Sequence, residues 1–239
     1  MSGHSKWKNI LHKKEKTDAQ KAKVFTKIGR EMAVAVKEGG PDPASNSKLR
    51  DCIAKAKQNN VPNDNIKRII EKASGGDGAN YETIVYEGYG PSGVAVIVET
   101  LTDNRNRTAS DVRHYFDKYG GNLGATGCVS WQFDDKGVIL LEKTGADEDE
   151  VMMMCLEAGA EDIETDGDAI EVYTAVEDME AVRDALEAQG QTVISAEKDK
   201  IPQTYITLTN EDDLKNMQKL LDMLEDNDDV QNVWHNWEE

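Results

Sequence analysis

Apolar residues in the first third of the chain recur at helical spacing. Between residues 17 and 38 they fall on one face at about 100° per residue and so predict one long helix; they are Phe25, Ile28, Met32, Ala35 and Val36. A Gly-Gly-Pro-Asp-Pro turn at 39–43 ends this helix. Two shorter stretches of the same periodicity follow, separated by the Asn-Asn-Val-Pro-Asn break at 59–63. The pattern therefore predicts a small three-helix bundle.

Beyond residue 80 the pattern changes from helical spacing to strands. Residues 81–135 predict two strands, a loop at 102–107, a helix, and a third strand based on the alternation of Val129, Trp131 and Phe133. Residues 204–239 predict a strand, a helix and a strand, which cannot bury an apolar face alone. The simplest closure is that 204–239 completes the sheet begun by 81–135.

Residues 137–200, between these two incomplete halves, predict a complete unit of their own. Their elements follow the order βαββαβ, which is the ferredoxin-like pattern. The predicted fold class is α+β, with an N-terminal basic three-helix bundle and two ferredoxin-like α+β domains, one inserted in the other. The predicted domains are the bundle with its N-terminal arm at 1–76, a discontinuous α+β domain at 80–135 plus 202–239, and the inserted acidic domain at 137–200.

Charge is sorted along the chain in the same way as the predicted domains. Residues 1–76 carry 17 Lys and Arg against 8 Asp and Glu, a net charge of +9, although the whole chain carries −18. The remaining residues therefore carry −27, and the segment 137–200 alone carries −15. Such asymmetry predicts a nucleic-acid contact confined to the basic end, because the acidic remainder repels phosphate.

Three groups of side chains are the predicted nucleic-acid contacts. The N-terminal arm supplies Lys6, Trp7, Lys8, Lys13, Lys14 and Lys16. The face of the long helix opposite its apolar stripe supplies Lys23, Lys27, Arg30 and Lys37. The third group is the paired arginines of the acidic body, Arg105 and Arg107. Two alternatives stay open: Trp7 either stacks on a base or packs into the helical core, and the arginine pair binds either phosphate or nearby carboxylates.

The sequence contains none of the common catalytic or metal-binding motifs. No GxSxG, HExxH or Walker-A spacing occurs, and the three cysteines have no CxxC spacing. Abundant carboxylates alone do not indicate acid–base catalysis. We therefore predict no catalytic residue, no metal and no cofactor, and keep an enzyme as a third hypothesis behind two nucleic-acid-binding ones. No apolar run is long enough to span a membrane, and no secretory signal is present, so we expect a cytoplasmic protein.

Several motifs, in order along almost the whole length, resemble one known family. The opening Gly3-His4-Ser5-Lys6-Trp7 is the most specific of them. It is followed by Gly39-Gly40-Pro41-Asp42-Pro43, Asn46-Ser47-Lys48-Leu49-Arg50, Leu101-Thr102-Asp103-Asn104-Arg105-Asn106-Arg107-Thr108 and Gly120-Gly121-Asn122-Leu123-Gly124. The chain resembles the YebC/PmpR family, to which the mitochondrial translational activator of cytochrome c oxidase is similar.

The resemblance implies a cytoplasmic bacterial protein of three domains that has no catalytic activity. Family members are described as probable transcriptional regulators that bind DNA, so the first hypothesis is a DNA-binding transcriptional regulator. Mitochondrial relatives act in translation, and some bacterial members are linked to ribosomes stalled on proline-rich stretches. The alternative hypothesis is therefore a translation factor that binds the ribosome through rRNA or tRNA. Arginine is scarce in the basic domain, which favours backbone or rRNA contact over sequence-specific DNA binding.

Overall fold

The structure, a computed structural model, describes residues 18–76, 80–143, 145 and 147–238. Its helices are α1 (Asp18–Gly39), α2 (Ser47–Gln58), α3 (Asn63–Ser74), α4 (Arg105–Lys118), α5 (Glu148–Ala158), α6 (Met179–Ala188) and α7 (Glu211–Asp226). Its strands are β1 (Glu82–Tyr89), β2 (Ala95–Thr102), β3 (Asn122–Leu123), β4 (Phe133–Glu142), β5 (Asp162–Asp166), β6 (Ala169–Thr174), β7 (Val193–Pro202), β8 (Ile206–Thr207), β9 (Val230–His235) and β10 (Trp237–Glu238). The predicted α+β fold class is confirmed.

The described chain forms two compact units. One contains residues 18–130 and 208–235, and the other contains 131–207 and 236–238. The chain thus leaves the first unit after residue 130, returns to it at residue 208, and ends in the second unit.

The N-terminal bundle of the first unit is organised around α1, on which α2 and α3 both pack. Its core is entirely apolar, and the buried side chains come from all three helices and from the turn between α2 and α3; they are Ile28, Met32, Ala35, Val36, Leu49, Ala56, Val61, Ile66 and Ala73. Phe25 is half-buried against the same core. Because the apolar stripe of α1 faces α2 and α3, its opposite face is left for other contacts.

Asn46 joins the end of α1 to the start of α2. Its buried side chain accepts a hydrogen bond from the Leu49 amide at 3.1 Å, which caps the N-terminus of α2. The same side chain donates to the carbonyls of Ala35 at 2.7 Å and Gly40 at 2.8 Å. Gly40 has φ +84°, a left-handed conformation that glycine adopts without strain. These bonds fix the direction in which α2 leaves α1.

The first unit also contains a four-stranded antiparallel sheet with the order β3-β1-β2-β9. Helices α4 and α7 both pack on the same face of this sheet. Phe116 of α4 lies against Gly88 in β1, and Met217 of α7 lies against Gly90, which directly follows β1. A Cβ at Gly88 would come within 2.9 Å of the Phe116 ring, so this close approach requires glycine.

The second unit contains a four-stranded antiparallel sheet with the order β5-β6-β4-β7. Its elements run β4-α5-β5-β6-α6-β7, which is βαββαβ connectivity. The core between the sheet and its two helices is apolar and includes Ile139, Leu141, Val151, Cys155, Ile170, Val172, Val182 and Leu186. A short parallel pair, β8 with β10, belongs to the same unit.

The predicted strand at 129–133 is wrong, because Ser130–Gln132 forms a single turn of 3₁₀ helix before β4. The cause is the buried carboxylate of Glu87 in β1. It accepts hydrogen bonds from the amides of Gly127 at 2.8 Å, Val129 at 2.9 Å and Ser130 at 2.9 Å. Backbone donors that a strand would direct to a neighbouring strand are thus directed to one side chain, and the chain turns.

Candidate nucleic-acid interface

The face of α1 opposite its apolar stripe contacts the rest of the same unit, which consists of the sheet β3-β1-β2-β9 with helices α4 and α7 and is called the sheet domain below. The contact centres on Asp229, which lies between α7 and β9 and whose side chain is only 4% exposed. Arg30 reaches Asp229 from α1 and forms an ion pair at 2.5 Å between Nη1 and Oδ1. The same Nη1 donates to the carbonyl of Leu101 at 3.1 Å. One predicted nucleic-acid residue is therefore engaged inside the protein.

Asp229 binds Arg107 of the predicted arginine pair as well as Arg30 of α1. Its Oδ2 accepts hydrogen bonds from Arg107 Nη2 at 2.8 Å and from Thr108 Oγ1 at 2.7 Å. Thr102 Oγ1 lies 3.3 Å from the same oxygen. Arg107 also pairs with Asp103 at 3.0 Å, so the carboxylate alternative left open for this arginine is the arrangement observed.

The hydrogen bonds to Asp229 determine its charge state. Burial acts to raise the pKa of Asp229, but hydrogen bonds from Arg107, Thr108 and Arg30 outweigh burial and hold that pKa below its usual value. The hydrogen bond from Arg107 to Asp229 raises the pKa of Arg107 above that of a free arginine. Both shifts favour the charged forms of Asp229 and Arg107. Removal of one partner from such a buried pair leaves an uncompensated charge.

Lys23 and Lys27 contact the C-terminal end of α7. The Lys27 ammonium donates to the Glu225 carbonyl at 2.8 Å, and the Lys23 ammonium donates to the Asp226 carbonyl at 3.2 Å. Lys23 also forms an ion pair with the Asp226 carboxylate at 2.8 Å. Helix α7 has no basic residue in its own last turn, and its final carbonyls carry partial negative charge. The two lysines of α1 supply the positive charge that this helix end lacks.

Arg105 and Arg107 lie in the first turn of α4, where the sequence predicted a loop. Asn104 caps this helix by accepting the Arg107 amide at 3.1 Å, which extends the helix one turn further towards the N-terminus than apolar spacing indicated. Arg105 is exposed on the same turn. The arginine pair is therefore split: Arg107 holds Asp229, and Arg105 faces solvent.

Lys37, the fourth predicted nucleic-acid contact on α1, is exposed and donates a hydrogen bond to the Asn80 side chain at 2.9 Å. The guanidinium of Arg30 lies 5.3 Å from the centre of the Tyr81 ring, a cation–π distance. Both contacts link α1 to the segment that enters β1. The predicted residues Lys6, Trp7, Lys8, Lys13, Lys14 and Lys16 lie outside the described residues.

An open cleft of about 460 Å³ lies beside the Asp229 cluster. Its lining contains three cations and five carboxylates together with one amide; these residues are Lys23, Arg30, Asp103, Arg107, Asp111, Asp226, Asn227, Asp228 and Asp229. Because carboxylates outnumber cations there, the cleft repels a phosphate group. In this arrangement it is a junction between α1 and the sheet domain and not an anion-binding site.

Exposed cations that the predicted site did not include lie on α2 and α3. Lys67 and Arg68 are exposed on α3, outside the face of its buried residues, Ile66 and Ala73. The other exposed cations of the two helices are Lys48, Arg50, Lys57 and Lys72. The same helical spacing that placed the stripe on α1 also places these side chains outside the core. The sequence does not show which of these basic faces is covered by the sheet domain.

The cysteines are poorly suited to nucleophilic chemistry. Burial raises the pKa of Cys52 and the pKa of Cys155 to about 11, so both thiols are protonated at neutral pH. Within the described ranges, no group of three or more His, Cys, Asp or Glu side chains is arranged to hold a metal ion. Every helix in this part of the chain is too short or too polar to cross a membrane.

Comparison with family models gives two matches that together span most of the chain. Residues 5–76 match a model described as the TACO1/YebC protein N-terminal domain. Residues 81–237 match a model described as the TACO1/YebC second and third domain. The boundary between the two matches falls between α3 and β1.

Similar proteins include curated bacterial relatives and a crystal structure. A probable transcriptional regulatory protein of Acetivibrio thermocellus is 61% identical over 239 residues, with 99% of each chain covered. Another, of Agathobacter rectalis, is 60% identical over 242 residues, with 100% of each chain covered. The crystal structure of a conserved hypothetical protein from Aquifex aeolicus has a TM-score of 0.83 and 43% identity, covering 93% of this chain and 92% of that one.

Proposed function

Because this chain belongs to the TACO1/YebC family, we propose that it is a non-enzymatic, nucleic-acid-binding regulator of gene expression that acts on transcription by binding DNA. The names of relatives at about 60% identity over the whole chain support the transcriptional role. The structure supports nucleic acid as the partner because a basic helical bundle offers exposed cations on a chain that is otherwise strongly acidic.

The observation that carries this proposal is the exposure of Arg50, Lys57, Lys67 and Arg68 on α2 and α3. On α2, Arg50 and Lys57 are seven residues apart, which places them on one face of the helix. Exposed cations on one helix face can neutralise backbone phosphates and release their counterions. These four side chains form the proposed primary contact.

The side chains predicted from the sequence complete the proposed surface. Arg105 is exposed, and Lys37 is exposed while donating a hydrogen bond to Asn80. The proposed arm contacts remain Lys6, Trp7, Lys8, Lys13, Lys14 and Lys16. Lys23 and Lys27 join the surface only when they leave the end of α7, and Arg30 and Arg107 are assigned to the Asp229 cluster instead.

A second candidate function is a translation factor that binds the ribosome through rRNA or tRNA. The observation that favours it is the internal use of Arg30 by Asp229. Bidentate contacts from arginine to guanine are the commonest specific readout of duplex DNA, and the described bundle retains only Arg50 and Arg68 as exposed arginines. A lysine-led surface binds phosphates without reading bases, which suits a structured RNA.

The same proposal assigns work to each part of the chain. The bundle and arm at 1–76 bind nucleic acid, and the discontinuous domain at 80–135 plus 202–239 supports the bundle. The acidic domain at 137–200 takes no part in phosphate binding, because its net charge is −15. The proposal includes a cytoplasmic location, as the resemblance implies, and no cofactor.

The experiment that tests this proposal is ultraviolet crosslinking of the tagged full-length chain in cells, with bound DNA and RNA sequenced separately. Crosslinks at a few promoters, with only background on rRNA, are the expected result for a transcriptional regulator. Crosslinks concentrated at one rRNA or tRNA site would assign the second function. Absence of crosslinks to either nucleic acid would overturn both.

A matched pair of variants ties the result to the proposed surface. Lys67→Glu/Arg68→Glu reverses two exposed cations on the bundle, and Lys215→Glu/Lys219→Glu reverses two exposed cations on α7 of the same unit. Both changes alter the net charge equally. We expect the bundle variant to lose crosslinks and the α7 variant to retain them.

A further inference from the structure

Helix α5 of the second unit carries apolar side chains on two sides. Its inner side is the expected one, because Val151 and Cys155 are buried against the sheet. On its outer side, Met152 is 38% exposed, Met153 is 59% exposed and Leu156 is 53% exposed. An ordinary surface helix would place polar residues there.

These three side chains form a patch and are not scattered. Met152, Met153 and Leu156 fall within an arc of about 100° on the helix, and Leu156 lies one turn after the two methionines. Five large apolar side chains are exposed in the part of the chain that the structure describes, and three of them are on this helix. The patch is therefore a local feature of α5 and not the general composition of the surface.

The rim of the patch is acidic. Asp149, Glu150 and Glu157 are exposed around it, and Lys143, which follows β4, is paired with Glu148 at the start of the helix. The whole segment 137–200 has a net charge of −15. A nucleic acid, an anionic membrane surface or a second copy of this acidic domain would be repelled by such a rim.

From the apolar patch and its acidic rim, we propose that the outer face of α5 is a docking site for a positively charged amphipathic segment of another protein. Apolar side chains of that segment pack on Met152, Met153 and Leu156, and its Lys or Arg side chains pair with the surrounding carboxylates. Methionine is flexible and polarisable, which suits a face that must fit a partner's side chains. The proposal is independent of nucleic-acid binding by the bundle.

A designed helical peptide of Leu and Lys, with all leucines on one face, serves as the probe. Fluorescence anisotropy with the full-length chain at physiological salt gives the affinity, and hydrogen exchange gives the location. We expect saturable binding with protection of α5. A peptide of the same composition, scrambled so that its leucines no longer share a face, controls for simple charge attraction and is expected to bind at least about tenfold more weakly.

Variants then separate this face from general electrostatics. Met153→Ser/Leu156→Ser removes the apolar centre without changing charge, and we expect it to weaken peptide binding about tenfold or more. Val85→Ser, which removes another exposed apolar side chain in the first unit, is the control and should leave affinity unchanged. Equal affinity of the wild type and the double variant would overturn the proposal, and so would a failure of the wild type to bind the ordered peptide. Self-association of the wild type that Met153→Ser/Leu156→Ser abolishes would assign the face to a second copy instead.

Discussion

The cations of α1 and those of α2 and α3 belong to one bundle but differ in what surrounds them. On α1, Lys23 and Arg30 reach carboxylates of the sheet domain, and Arg30 pairs with an aspartate that is almost fully buried. On α3, Lys67 and Arg68 face solvent. Residues of the same charge and similar spacing thus stabilise the protein on one helix and are available to a ligand on another.

The difference shows that a basic stripe in a sequence can pair either with carboxylates of the same protein or with phosphates of a nucleic acid. In this protein the acidic sheet domain supplies carboxylates, because four acidic side chains lie in the run 225–229, at the end of α7 and just before β9. A carboxylate held close to a cation competes with phosphate for it. The cations whose faces meet no such run are the better candidates for nucleic-acid binding.

The largest expected effect comes from removal of the buried partner on the α1 side. Asp229→Ala leaves Arg30 and Arg107 without their shared carboxylate, and we expect the free energy of unfolding to fall by about 3–5 kcal/mol. Chemical denaturation gives the loss, and hydrogen exchange should place it in α1 and the first turn of α4. Asp228→Ala is the matched control, since it changes the preceding and exposed aspartate. Equal stability of the two variants would show that Asp229 does not hold α1 in place.

The next effect concerns the α3 side of the comparison. Lys67→Glu/Arg68→Glu should weaken binding to a DNA duplex or a structured RNA by at least about tenfold at ~0.15 M salt, because two phosphate contacts become repulsive. The dependence of log K on log salt should also become shallower by about 1–2. Filter binding over a salt series provides both numbers, with circular dichroism to confirm that the helices remain.

Lys215→Glu/Lys219→Glu makes the same change in net charge on α7. We expect this control to alter affinity by less than about threefold, since these exposed charges lie on another helix and are screened by salt. If both variants weaken binding equally, overall charge and not the α3 surface determines affinity.

Acid pH offers a graded way to weaken the Asp229 cluster. The pKa of Asp229 is lowered in the folded protein, so its stabilising contribution is present above the unfolded pKa of about 3.9 and is lost as pH falls through the folded pKa. The free energy of unfolding of the wild type should therefore exceed that of Asp229→Asn at pH 7, and the gap should narrow below about pH 4. Glu87, whose pKa is also lowered, by backbone amides working against burial, contributes equally to both proteins and cancels. A gap that stays constant down to pH 2.5 would contradict this account.

The sequence pattern predicts most of the fold, because periodicity reports which residues avoid water. The apolar stripe of α1 and the βαββαβ order of the second unit follow directly from it. The pattern wrongly predicts a strand through 130–132. There the buried carboxylate of Glu87 accepts hydrogen bonds from the amides of Val129 and Ser130, which a strand would direct to a neighbouring strand. A carboxylate that is distant along the chain leaves no trace in the local pattern of apolar residues.

The candidate site was less predictable than the fold. Helical spacing places basic side chains outside the core, but it does not say whether another part of the chain covers them. Asp229 is one of 46 acidic residues, and nothing in its neighbourhood distinguishes it before the structure brings Arg30, Arg107 and Thr108 around it. For the arginines of the Thr-Asp-Asn-Arg-Asn-Arg-Thr motif of 102–108, the sequence leaves two partners open, phosphate or nearby carboxylates. In the structure the threonines and second arginine of this motif hold this aspartate.

The smallest effect on stability should come from the outer contacts of α1. Lys23→Met/Lys27→Met removes the two ammonium groups at the end of α7, but Lys23 and Asp226 are 37% and 63% exposed, so each contact is worth less than about 1 kcal/mol. We expect the double variant to unfold within about 1–2 kcal/mol of the wild type, well above Asp229→Ala. Such a result would separate a dispensable rim from a required centre in one interface. It would also make Lys23 and Lys27, unlike Arg30, suitable positions at which to test nucleic-acid binding. A loss as large as that of Asp229→Ala would instead mean that the charge at the end of α7 is as important to the junction as the buried cluster.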